Sequence, residues 1–111
     1  MSHGNVMEIE NSDHFVLVKD DAGALPIFID FFATWCGPCV AIKPVFEELS
    51  VTYAGKAVFI KVDVDKCEEL SAQFGITAMP TFICLKGGAV AATMKGANKP
   101  GLEKFVQDNS N

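Results

Sequence analysis

Between Leu25 and Phe32 the chain reads Leu-Pro-Ile-Phe-Ile-Asp-Phe-Phe, with Asp30 its only charged residue. A strand with one wet face alternates apolar and polar residues. A nearly continuous apolar run instead predicts a strand covered on both faces, at the centre of a sheet with helices above and below. The run is broken by Pro26 and Asp30 and is too short to cross a bilayer. It leads directly into Ala33-Thr34-Trp35-Cys36-Gly37-Pro38-Cys39, where the strand hands over to a helix.

The remaining segments supply such a sheet and its cover. Val6 to Ile9 reads as a short edge strand. Asn11-Ser12-Asp13 starts a helix that Gly23 ends. After Cys36, the positions Ile42, Val45, Phe46, Leu49 and Tyr53 follow a helical period, with Pro44 expected to kink that helix and free the carbonyl of Val40. Ala57 to Val64 is a second buried strand, Cys67 to Phe74 a short helix stopped by Gly75. Thr81 to Leu85 and Ala89 to Lys95 form a hairpin around Gly87-Gly88. Lys99 to Asp108 is a last helix, N-capped by Asn98, with Leu102, Phe105 and Val106 facing inward. The order βαβαβαββα predicts an α/β fold: a mixed five-stranded sheet sandwiched by four helices.

The 111 residues are half apolar and include nine Phe, which suits one domain with its own core. Four Cys are too few for a disulfide-held scaffold. Net charge is −5 and all nine basic residues are Lys, so no arginine fork is present for phosphate or guanine, and a nucleic-acid partner is not expected. The acidic residues read as a solvated surface. Residues 1–5 are polar, resemble no signal peptide and are expected to be a flexible extension. A soluble, cytosolic protein with no membrane association is the expectation, with the nucleus left open.

Two thiols three residues apart at a helix start come within disulfide reach. Cys36 falls at the helix N-cap, where free N–H groups and the helix dipole favour a thiolate; Cys39 lies one turn in and faces the interior. An exposed thiolate that attacks and a buried thiol that resolves follow from this placement. Asp30 sits among apolar neighbours beneath the same strand end. Burial there should raise its pKa and let it exchange a proton with Cys39. Lys61, inside Phe59-Ile60-Lys61-Val62, either pairs with Asp30 or carries its amine out to water. A metal is not expected: one Cys-x-x-Cys has no second such pair and no nearby His.

From Val6 onward the chain resembles the thioredoxin family. The resemblance rests on Asp30-Phe31, Ala33 to Cys39, Ile42-Lys43-Pro44, Lys61 to Asp65, Met79-Pro80-Thr81-Phe82 and Gly96-Ala97-Asn98-Lys99. It implies a thioredoxin fold and a thiol–disulfide oxidoreductase that reduces protein disulfides through Cys36 and Cys39. Asp30 and Lys61 correspond to the buried pair that tunes proton transfer. Trp35, Gly37 and Pro38 shape the active site. Pro80 corresponds to a cis-proline, Met79 to the residue whose backbone pairs with substrate, and Gly96 with Ala97 to the border of the substrate groove. The resemblance further implies no bound cofactor and a monomer. Its electrons would come from NADPH through thioredoxin reductase, and its substrates would be disulfide proteins such as peroxiredoxins.

Pro38 stands where disulfide isomerases have His, which argues for a reductant. The intact dithiol argues against a purely binding module. Phe32 replaces a Trp found in many members, Val40 replaces a Lys or Arg, and Ala78 replaces a Cys that some animal members carry. Cys67 is a candidate regulatory thiol, though an inert one is the simpler expectation. Cys84, in mid-strand, reads as a core residue.

Overall fold

Along the central strand, odd and even residues serve two different cores. A computed structural model of the chain describes residues 4–111. Its elements are β1 (Val6–Glu8), α1 (Ser12–Ala22), β2 (Ile27–Phe32), α2 (Gly37–Thr52), β3 (Val58–Asp63), α3 (Glu68–Gln73), β4 (Thr81–Lys86), β5 (Ala89–Lys95) and α4 (Lys99–Asn109). Ile27, Ile29 and Phe31 point to one face of the sheet, where they meet Phe15 of α1 and Leu70 of α3. Phe28 points to the other, with Ile42 and Phe46 of α2 and Leu102 and Val106 of α4. Asp30 shares that second face by the strand's two-residue period. Both faces are therefore dry, which is why the run has no polar alternation.

The sheet order is β1-β3-β2-β4-β5. β3 lies parallel to both β1 and β2, while β4 is antiparallel to β2 and β5 to β4. The two early crossovers carry helices and so give parallel neighbours; the Gly87-Gly88 turn gives an antiparallel one. Both of these glycines have positive φ, 60° and 81°, as a two-residue hairpin turn of this hand demands. The order βαβαβαββα and the mixed, helix-covered sheet agree with the expectation.

Both asparagine caps act as read. Asn11 accepts a hydrogen bond from the His14 N–H, and Asn98 from the Gly101 N–H, capping α1 and α4. α2 continues unbroken through Pro44. Proline has no N–H, so the Val40 carbonyl lacks its usual helical donor. The expected extension over residues 1–5 lies outside the described residues for its first three positions. Asn5 within it is tied down: its backbone N–H donates to Ser50 Oγ at 2.8 Å.

Candidate active site

The carboxyl ends of β2 and β3 and the first turn of α2 converge on one spot. Cys36 is the N-cap of α2, with extended backbone (φ −88°, ψ 109°), and its Sγ accepts the Cys39 N–H at 3.2 Å. Gly37 opens the helix and Pro38 follows at a position that needs no N–H. Cys36 and Cys39 are joined as a disulfide, with Cα atoms 5.3 Å apart. Ala33, Phe32, Val64 and Met79 pack around the two sulfurs.

One expectation is corrected here. Cys36 is not exposed: it is 6% accessible, against 4% for Cys39. The asymmetry between the two lies in their surroundings. Cys36 Sγ lies 3.7 Å from the Met79 carbonyl oxygen, toward the loop that precedes β4. Cys39 instead lines a cavity of about 180 Å³ together with Asp30, Phe32, Thr34, Val40, Lys43 and Lys61.

Asp30 is 4% exposed, and its Oδ1 has no hydrogen-bond partner. Burial drives its pKa from 3.8 up to about 7; the positive charge of Lys61 opposes part of that rise. Lys61 stands opposite Asp30 in the β2–β3 register. Its Nζ lies over the Phe32 ring, 5.6 Å from the centroid. It thus acts electrostatically on Asp30 while its amine rests on an aromatic face.

The other predicted residues group around the loop ends. Trp35 is 68% exposed, and its Nε1–H donates to Asp65 Oδ2 at 2.8 Å. The Met79–Pro80 peptide is cis. The Gly96 N–H donates to the Pro80 carbonyl at 2.9 Å, linking the loop before β4 to the end of β5. Gly96 has φ +93°, and a Cβ there would meet no atom within 4 Å. The backbone angle therefore accounts for this glycine, rather than crowding. Ala97 is exposed beside it.

Cys67 caps α3 but is remote in character: it is 6% exposed and its thiol donates to the Ile9 carbonyl at 3.5 Å. Burial pushes its pKa up. Cys84 is fully buried, as expected. Asp65 and Lys43 were not singled out from the sequence as site residues. Neither carries a sequence signal of its own: Lys43 lies within Ile42-Lys43-Pro44, and Asp65 closes the run from Lys61.

The thioredoxin family profile matches residues 5–108. The chain belongs to the thioredoxin family. An H-type thioredoxin of Chlamydomonas reinhardtii is 52% identical over 90 residues, covering 81% of this chain and 80% of that protein. Thioredoxin of Oryctolagus cuniculus is 43% identical over 103 residues, covering 93% and 97%. The crystal structure of reduced Schistosoma mansoni thioredoxin pre-protein superposes with a TM-score of 0.89 at 38% identity, covering 96% of this chain and 99% of that one. These relatives are all eukaryotic. Like other thioredoxins, this chain is a protein-disulfide oxidoreductase, and Cys36–Cys39 is its redox pair. Among the described residues no group of three or more His, Cys, Asp or Glu is arranged to hold a metal, and no helix is long and apolar enough to cross a membrane.

Proposed function

We propose that this thioredoxin works as a reductant, with Cys36 attacking and Cys39 resolving. The Cys36 thiolate attacks one sulfur of a target disulfide. That bond breaks, a mixed disulfide forms, and the second target sulfur leaves as a thiolate. Cys39 then passes its proton to Asp30 and attacks Cys36 Sγ. The mixed disulfide breaks, the target departs with both sulfurs reduced, and Cys36–Cys39 is left oxidised. Two electrons pass, and the two protons given up by Cys36 and Cys39 end on the target thiols. The electrons come from the sulfurs themselves, so the exchange needs no bound cofactor.

The observation that carries this reading is the cavity shared by Asp30 and Cys39. A carboxyl with a pKa of about 7 both accepts and returns a proton at neutral pH. Lys61 keeps its ionised form within reach. An extended target segment pairs with the Met79 backbone ahead of Pro80, bordered by Trp35, Gly96 and Ala97, while Gly37 and Pro38 hold the turn that presents Cys36. Thioredoxin reductase returns the electrons from NADPH. The targets are disulfide proteins such as peroxiredoxins, and the chain acts as a monomer in the cytoplasm. Cys67 has no redox role in this scheme, because its thiol donates to the Ile9 carbonyl instead of meeting free helix N–H groups, and its pKa is raised.

The test is a trap. Reduced Cys39→Ser mixed with insulin should accumulate a covalent adduct through Cys36 that dithiothreitol dissolves. No adduct, or an adduct formed by Cys36→Ser through Cys39, refutes the order of attack.

A further inference from the structure

Two of the most exposed large apolar side chains stand beside the disulfide: Trp35 at 68% and Val40 at 61%. The Trp35 indole is anchored by Asp65. No polar contact explains an apolar residue at position 40. The Val40 N–H donates to the Cys36 carbonyl at 3.2 Å, closing the first turn of α2. Residues four apart lie on one face of a helix, so Val40 follows Cys36 on the same side. Met79 reaches the same sulfur from the loop before β4, with its carbonyl oxygen 3.7 Å away.

Val40 also lines the cavity that holds Asp30 and Cys39. Being largely exposed as well, it forms part of the boundary between that cavity and solvent. A lone valine on a protein surface ordinarily needs no explanation. This one follows Cys39 in the chain, lines the same cavity, and stands one helical turn after Cys36, the residue an incoming disulfide must reach.

We propose that Val40 is a specificity-determining residue: it receives an apolar side chain flanking the target's disulfide and favours such targets over those with polar flanks. The inference rests on the reductase reading above and adds the class of substrate. The contact removes apolar surface from water on both partners and is insensitive to charge screening. A side chain seated on Val40 also covers this part of the cavity boundary, so the resolving step proceeds with less access for bulk water.

The test uses two homodisulfide peptide dimers, identical except for Leu or Ser on either side of the half-cystine. The wild type should reduce the Leu dimer with a kcat/KM about five- to tenfold higher, mostly through KM, as expected for re-covering part of a valine and a leucine. The preference should survive added salt. Val40→Thr, nearly the same shape with a hydroxyl, should bring the ratio below about twofold. Leu17→Thr on the exposed face of α1 should keep it. Equal rates on the two dimers in the wild type, or an undiminished preference in Val40→Thr, overturns the proposal. A wild type that reduces neither dimer nor insulin overturns the reductase reading, and this one with it.

Discussion

Two helices of this chain begin at a cysteine, Cys36 for α2 and Cys67 for α3. Both cysteines are 6% exposed, so burial does not separate them. Their sulfurs face different partners. Cys36 turns its Sγ toward the Cys39 N–H, where a thiolate is stabilised by the donor and by a helix of 16 residues. Cys67 has ψ 59°, makes no side-chain cap bond, and donates its own hydrogen to Ile9 instead. Burial raises its pKa; Lys66 works against this, while Asp63 and Glu8 add to it. A helix N-terminus therefore favours a thiolate only when the sulfur is aimed at the free N–H groups.

The largest expected contrast is in turnover. Cys36→Ser should lower insulin reduction by roughly three orders of magnitude or more, because no other sulfur replaces the nucleophile. Cys67→Ser should stay within about twofold. A comparable loss in both variants breaks the distinction drawn above.

The second contrast concerns the carboxylates beside each thiol. Asp30 binds its proton up to about pH 7 in the folded protein but only up to about 3.8 when unfolded. The folded state holds more protons across that window, so this residue's contribution to stability falls as pH rises from 4 to 7. The drop corresponds to about 4 kcal/mol. Urea unfolding of the oxidised protein should show Asp30→Asn gaining on wild type by about that amount between pH 4 and pH 8. A constant difference across the range would mean that Asp30 is not held neutral by burial.

The smallest expected effect is on labelling. In reduced protein at neutral pH, iodoacetamide should modify Cys36 about a hundredfold faster than Cys67, read by peptide mass. Comparable rates would show that the Cys67 sulfur leaves its bond to Ile9 and samples solvent.

Most of the fold was legible because its signals are local. The two-sided apolar run of β2, the Asn11 and Asn98 caps and the Gly87-Gly88 turn each act within a few residues. The site was legible in part. Cys36, Cys39 and Asp30 lie within ten residues of one another, and their convergence on one spot follows from strand and helix periods. Met79 and Pro80 read only as a loop until the family resemblance was used, because they come from 43 residues beyond Cys36. Asp65 meets Trp35 across a separation of 30. Lys43 joins the cavity through the packing of α2 on the sheet. The exposure of Cys36 was misjudged for the same reason: Met79 and Val64, which help bury it, arrive from other parts of the chain.

Trp35 is the chain's one tryptophan. Its indole is tethered outside the core, at the rim of the redox pair. The protein thus carries a built-in optical label at its working surface. Excitation at the red edge of its absorption reports on local events there, such as a target covering the rim. Events at the redox pair can therefore be followed directly, with no dye attached.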